Sequence, residues 1–195
     1  MNYARKITLA ALLLFAVLGA QAATWEIDQV HSSIGFKVKH LMVSNVRGSF
    51  DHFSGTVVYE EGNLKDAKVE VSITAASINT ANTDRDTHLK SPDFFDVEKY
   101  PTLEFVSKLV EKSGSGLKIL GDLTMHGVTK EIVLNVMELT DPVVDPWGGI
   151  RRGASAAARI NRTDFGLSWN KALETGGLVV GEDVDILLEV ELVKK

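Results

Sequence analysis

From Ser33 to His40 apolar and polar residues take turns: Ile34, Phe36, Val38 and His40 fall on one face of an extended chain, and Ser33, Gly35, Lys37 and Lys39 fall on the other. A period of two with one apolar side marks a half-buried strand. The same alternation runs through Val69, Val71, Ile73 and Ala75, through Leu117, Ile119, Gly121, Leu123 and Met125, through Ile132, Leu134 and Val136, and through Ile186, Leu188, Val190 and Leu192. Further strands are expected around Phe53 to Glu60, Thr102 to Glu111 and Ala154 to Asn161. Each is bounded by turn-forming clusters such as Glu61-Gly62-Asn63 and Ser113-Gly114-Ser115-Gly116. His126-Gly127 suits a tight hairpin, because Gly tolerates positive φ. An all-β domain of about eight short antiparallel strands closes as two packed sheets or as one barrel. The alternation does not choose between them.

One stretch breaks the rhythm. Asn82 to Phe95, NTDRDTHLKSPDFF, carries an N-cap candidate in Asn82 or Thr83 and a stop in Pro92, which predicts a short helix about Asp84 to Lys90. No repeat of solenoid length and no Pro/Ser-rich linker interrupts the chain, so it reads as one domain. Its first residues read differently. Arg5 and Lys6 precede an apolar run from Ile7 to Leu18, then Gly19 and Ala20-Gln21-Ala22, the pattern of a secretory signal peptide cleaved after Ala22. The run is well short of the ~20 residues that span a bilayer. The reading is residues 1–22 as a leader and 23–195 as an exported, periplasmic domain.

Composition narrows the chemistry. With 195 residues, 45% hydrophobic and a formal charge of -5, the chain is too polar for a multi-span helical membrane protein and too apolar for disorder. It has no Cys, which removes disulfides, thiol nucleophiles and thiolate zinc sites. No Lys/Arg block offers a footprint for nucleic acid or an anionic lipid surface. His31, His40, His52, His88 and His126 include no pair at the i, i+2 strand or i, i+4 helix spacing that presents two imidazoles to one ion, so no metal is expected, although a site assembled from distant strands stays open to the sequence. No Gly-x-Ser-x-Gly elbow is present, and Gly148-Gly149 and Gly176-Gly177 lack the strand and helix context of a phosphate cradle. No catalytic residue is assigned. What stands out is Arg85, Asp86, His88 and Leu89 followed by Phe94, Phe95 and Tyr100-Pro101: an ionic cluster beside two adjacent aromatics, placed at a barrel mouth. Its plain reading is a plug over one barrel end, with Arg85 and Asp86 tied into local hydrogen bonds.

These residues form part of an ordered series. Asp28 with His31-Ser32, Val38-Lys39-His40, Arg47-Gly48-Ser49-Phe50, Phe53-Ser54-Gly55, Thr80 with Arg85-Asp86, His88-Leu89 and Phe94-Phe95 lead into Tyr100-Pro101 and Phe105 with Ser107. The series continues through Gly121-Asp122-Leu123-Thr124, Gly127-Val128-Thr129-Lys130, Asp145-Pro146-Trp147-Gly148-Gly149, Arg152-Gly153 and Asp164-Phe165-Gly166. In order and spacing it resembles the YceI family over essentially the whole chain after the leader. The resemblance implies an extended eight-stranded antiparallel barrel of lipocalin-like shape, with a long apolar tunnel for a polyisoprenoid or similar amphiphile and no enzymatic activity. Cargo of this kind is an isoprenoid lipid or isoprenoid quinone, and no cofactor is required. The partner is then a hydrophobic small molecule, without nucleic acid or stable membrane insertion, and a homodimer is compatible with it.

The candidate lining is Phe36, Val38, Phe50, Phe53, Val57, Val71, Ile73, Leu89, Phe94, Phe95, Phe105 and Leu123, with Gly121, Ala75 and Ala156 expected to supply gaps. The candidate head-group residues are His40, Arg85, Asp86 and His88. A buried methylene contributes ~0.8 kcal/mol, so one branched isoprene unit adds roughly 3 kcal/mol and a few units offset an association cost of about 4 to 15 kcal/mol. The tail can supply the affinity by itself. Two other classes fit less well. An outer-membrane barrel would need aromatic girdles and lipid-facing apolar positions, where this chain carries Lys and Glu, and an enzyme acting on a bound lipid would have only Arg85, Asp86 and His88 for its centre.

Overall fold

Alternating segments pair because a ladder satisfies every backbone N–H and C=O while keeping each second side chain on one side of the sheet. In a computed structural model of the chain, which describes residues 22–114, 116–173 and 176–195, the strands are β1 (Ala22–Ile27), β2 (Ser33–His40), β3 (Ser44–Phe50), β4 (Phe53–Glu60), β5 (Asn63–Thr74), β6 (Ile78–Asn79), β7 (Thr102–Ser113), β8 (Gly116–Met125), β9 (Val128–Leu139), β10 (Val143–Val144), β11 (Ile150–Asn161) and β12 (Val180–Lys194). The expected leader, Ala22 apart, lies outside the described residues. No helix among the described residues is long and apolar enough to cross a membrane.

Strand β12 closes the structure. One of its edges pairs with β11 from Arg151↔Val193 to Asn161↔Asp183. The other pairs first with β2, from Val180↔His40 to Glu189↔Ser33, and then with β1 at Leu192 to Lys194. β1 and β2 are therefore one long rib, interrupted at residues 28–32, and β3 and β4 are a second, interrupted at Asp51-His52. With β5, β7, β8, β9, β11 and β12 they make eight antiparallel ribs joined edge to edge in a ring. This is the barrel rather than the sandwich. The first interruption is a 3-10 turn over Gln29–His31, capped by the Asp28 side chain, which accepts from Val30 N at 3.0 Å.

Apart from the two-residue β6 and β10, β1 and β3 are the strands that alternation did not announce. β1 is short, and β3 presents only Val46 and Phe50 to the interior with Gly48 between them. Gly48 faces Phe36 across the β2–β3 ladder, and a Cβ there would fall 2.5 Å from Phe36 Cζ, so the apolar group at this spot comes from the neighbouring strand. Gly121 works the same way: its place is taken by the Phe105 ring, where a Cβ would lie 2.5 Å from Phe105 Cζ. The expected gap at Gly121 is filled. His126 and Gly127 have φ of 53° and 73°, the two positive values that a type I′ hairpin demands.

The helix α1 (Thr83–Lys90) starts where its cap predicts, Asn82 accepting from Arg85 N at 2.9 Å. Aspartates in its first turn and His88 and Lys90 in its last complement the helix dipole. α1 packs against β6, beyond the end of the β5 ladder, so that it and the following turn cover one end of the barrel. The other end is filled from the strands themselves. There Trp25, Tyr59 and Leu192 form a small separate core, with the Trp25 and Tyr59 rings stacked 5.8 Å apart at 7°.

Candidate functional site

Inward-facing residues leave a cavity of about 280 Å³ inside the barrel. Leu64, Ala67, Leu139 and Leu192 line it toward the Trp25–Tyr59 end, and Leu89, Phe94, Phe95 and Leu167 line it toward α1. Val180 and Leu192 both stand on its wall, and at about 3.3 Å per residue and a strand tilt of roughly 40° that separation spans on the order of 30 Å along the barrel. So modest a volume drawn out over that length is a narrow slot, shaped for a chain and not for a compact ligand. An apolar void leaves its lining without packing partners on one side, and an apolar occupant restores them.

The expected lining is on the wall. Phe36, Val38, Phe50, Val57, Val71, Ile73, Leu89, Phe94, Phe95, Phe105 and Leu123 all face the cavity, whereas Phe53 is buried in the same core without reaching the cavity wall. Of the expected gaps, Ala156 lines the cavity, and Ala75 is packed away at 1% exposure.

The expected head-group residues are elsewhere. Asp86 Oδ1 accepts from Thr80 N at 2.9 Å and from Thr80 Oγ1 at 2.5 Å, while Arg85 donates through Nε to Thr80 Oγ1 at 2.7 Å and through Nη2 to Thr80 O at 2.9 Å. This pair fastens α1 to the end of β6. His88 Nε2 lies 2.9 Å from Asp93 Oδ2, and its ring meets Phe94 and Trp169 edge-on at 5.0 and 4.8 Å. His40 ends β2 beside Val180. None of the four is on the cavity wall. The cluster is a fastening for the cover, as its plain reading had it.

The charged residue that does stand on the wall is Arg162. It is 4% exposed, and burial pushes its pKa down from the ordinary arginine value. Its signal in the sequence was parity: Ala154, Ala156, Ala158 and Ile160 face inward, and the next residue of that series is Arg162.

A second ionic group sits outside the barrel. Arg151 donates through Nη1 to Asp28 Oδ2 at 2.8 Å and to Glu191 Oε1 at 2.5 Å, and through Nε to Asp145 Oδ2 at 2.7 Å. His31 Nδ1 is 2.9 Å from Asp28 Oδ2. The hydrogen bonds from His31 and Arg151 hold the Asp28 carboxyl down at about 2, and those that Arg151 donates to its three carboxylates hold its guanidinium above the ordinary range. Asp28, His31 and Glu191 bring three ligand atoms close enough for a cation. Arg151 already contacts both of these carboxylates, so the grouping is a buckle joining the β1–β2 break, β11, β12 and the Asp145 loop. That loop is held by Asp145 Oδ1, which accepts from Trp147 N at 2.9 Å and Gly149 N at 2.8 Å.

Comparison with known proteins places this barrel. The YceI-like domain profile matches residues 25–192. A UPF0312 protein of Photorhabdus laumondii is 39% identical over 191 residues, 97% of this chain and 95% of its own length. The crystal structure of the Campylobacter jejuni YceI protein superposes with a TM-score of 0.68 at 35% identity, covering 86% of this chain and 96% of that one. A polyisoprenoid binding domain from Saccharophagus degradans shares the fold with a TM-score of 0.59 at 16% identity, covering 86% of this chain and 97% of its own.

Proposed function

The chain belongs to the YceI-like domain family, and from that premise we propose that it is a periplasmic carrier or storage protein for an isoprenoid lipid or isoprenoid quinone. The cargo is held by burial and released without a covalent step. The observation that carries this reading is the narrow apolar slot running through the barrel, with one charged side chain on its wall among the described residues. A slot of that shape is costly when empty and rewards an occupant in proportion to the methylenes it buries. The Saccharophagus degradans domain that shares this fold is a polyisoprenoid binding domain, which supports the same class of cargo. The engagement of Arg85 and Asp86 with Thr80, and of His88 with Asp93, supports carriage over chemistry, since none of these groups is on the slot wall. Export follows from the leader read in residues 1–22, and fractionation tests it: release by osmotic shock is the expected result.

Delipidated, refolded protein is expected to take up an isoprenoid quinone and quench its tryptophan fluorescence. Trp169 is the reporter, packed on Phe94 at 5.2 Å where the cover meets the slot. Failure to bind any long-chain amphiphile would retire the proposal. Phe36→Asp, which puts a carboxylate on the wall, is expected to abolish loading or folding, because an unpaired buried charge costs several kcal/mol; full loading would mean that the slot is not the site.

A further inference from the structure

A tight hairpin turn asks for left-handed backbone, which Gly and Asn adopt readily and bulky apolar residues adopt only under strain. The β8–β9 hairpin meets that demand with Gly127 in second place. The β2–β3 hairpin does not. Its turn is closed by Val43 N, which donates to His40 O at 3.1 Å, and the two residues between them, Leu41 and Met42, have φ of 51° and 61°. Burial offers no compensation: Leu41, Met42 and the adjoining Val43 are 37%, 58% and 80% exposed, three successive large apolar side chains at the tip of a hairpin. Strain of this kind collects at functional sites.

The tip stands at the covered mouth of the slot. His40 pairs with Val180, a residue of the cavity wall, and Leu41 N donates to Val179 O at 2.8 Å. Asn170 donates to Val180 O at 2.7 Å, and its neighbour Trp169 packs on Phe94 of the wall at 5.2 Å and on His88 of α1 at 4.8 Å. One short segment thus links the tip to the cover. Leu41, Met42 and Val43 are not themselves on the wall, so the cargo does not use them.

Three side chains are too few for a stable protein partner, since each side of a specific complex buries roughly 800 Å². A bilayer makes no such demand: a small apolar projection sinks into the boundary between head groups and acyl chains without a complementary shape. The base of the tip is polar, as that boundary requires. Lys39 on β2, Arg47 on β3 and Lys171, whose carbonyl accepts from Val179 N at 3.0 Å, are exposed and take part in no ion pair among the described residues. β12 adds the exposed Glu182 and Asp183. Charges of both signs leave apolar insertion, not attraction to anionic lipid, as the driving term, in keeping with the absence of a basic block in the sequence.

We propose that the Leu41-Met42-Val43 tip is a membrane-docking element. It inserts reversibly into the surface of a phospholipid bilayer and sets the α1 end of the slot against the membrane, so that a lipid passes between bilayer and slot without crossing water. This inference rests on the lipid-carrier reading and adds the surface with which the carrier exchanges.

The test is sedimentation with vesicles, one set of phosphatidylethanolamine and phosphatidylglycerol and one of phosphatidylcholine alone. The unaltered protein is expected to sediment with both, with little dependence on salt. In a variant carrying Leu41→Asn, Met42→Gly and Val43→Thr, vesicle binding and the rate of polyprenol transfer between vesicles should each fall about tenfold or more, the effect of withdrawing two or three apolar side chains from lipid. Its melting temperature should hold or rise, because Asn-Gly suits the turn, and its one-to-one polyprenol adduct should remain. Met42→Trp should bind vesicles more tightly, with a blue shift of the added fluorescence on binding. Failure of the unaltered protein to sediment with either vesicle, or equal sedimentation of the triple variant, overturns the docking tip. Binding that vanishes without phosphatidylglycerol overturns insertion in favour of a charge-led contact, and a dimer in ultracentrifugation that the triple variant dissociates overturns the bilayer in favour of a second copy. Polyprenol uptake by the unaltered protein is read separately by native mass spectrometry: an adduct without vesicle binding leaves carriage standing and removes the tip, whereas vesicle binding without any adduct removes the carriage on which the inference rests.

Discussion

At one end of the barrel Trp25 and Tyr59, strand residues whose inward direction follows from a period of two, stack 5.8 Å apart at 0% and 4% exposure. At the other end Leu89, Phe94 and Phe95 come from α1 and the turn after it, a segment held by the Asn82 cap and by the grip of Arg85 and Asp86 on Thr80. The first closure cannot move without breaking strand ladders. The second can be displaced without breaking a barrel ladder, at the cost of a few side-chain hydrogen bonds, the contact of Phe95 edge-on to Phe50 at 5.7 Å and the packing of the buried Phe94 on Trp169 at 5.2 Å. Local opening is cheapest where few ladder hydrogen bonds and little apolar burial resist it. The slot therefore has a fixed floor and a removable cover, and exchange of cargo is expected at the α1 end.

Four substitutions or conditions press on that difference. Trp25→Ala is expected to have the largest effect, a loss of about 3–5 kcal/mol as for other fully buried large aromatics, read by urea denaturation. Phe95→Ala, at a half-buried position, is expected to cost about 2 kcal/mol but to accelerate lipid release in a stopped-flow displacement experiment. If Trp25→Ala accelerates release more than Phe95→Ala does, the floor and the cover have been assigned to the wrong ends. Asn82→Ala removes the cap of α1 and should cost about 1 kcal/mol, with faster amide exchange in α1 and unchanged exchange in β8 and β9.

The smallest effect concerns acid. Asp28 and Asp185 both lie near 2 in the folded protein against an ordinary 3.8, the first held by His31 and Arg151, the second by Arg159 and Lys37. A carboxyl whose folded value is depressed contributes stability that is complete above its unfolded value and is lost as pH falls through the folded one. The contribution of these two carboxyls is thus expected to be level above about pH 4 and to decline toward pH 2. Asp28→Asn should make that decline shallower, because its contribution no longer titrates. An unchanged acid profile would mean that the buckle beside Trp25 does not report on folding.

Most of the barrel was legible because strands with one buried face advertise it every second residue. β2 and β4 begin and end where alternation and turn clusters place them, and α1 starts one residue before the expected Asp84, behind its predicted cap. β3 was hidden for a physical reason: its middle inward position is Gly48, whose apolar filling is the Phe36 ring of the next strand. The wall was legible for the same reason as the strands, whereas the polar candidates were not. His88, Arg85 and Asp86 lie in a helix, where a period of two does not tell a side chain which way to face; they stand in the cover, His88 edge-on to the wall residue Phe94 at 5.0 Å, without reaching the cavity wall themselves. Arg162 was readable from its parity with Ile160. It was overlooked because a charge at the end of an apolar strand is ordinarily solvated.

The central claim is that the slot holds one long apolar chain. Native mass spectrometry of the purified protein, delipidated and then titrated with a polyprenol, tests it most directly. The account predicts a single one-to-one adduct, abolished by Phe36→Asp and retained in Asn82→Ala. No adduct with any long-chain amphiphile, or an adduct indifferent to Phe36→Asp, would contradict it.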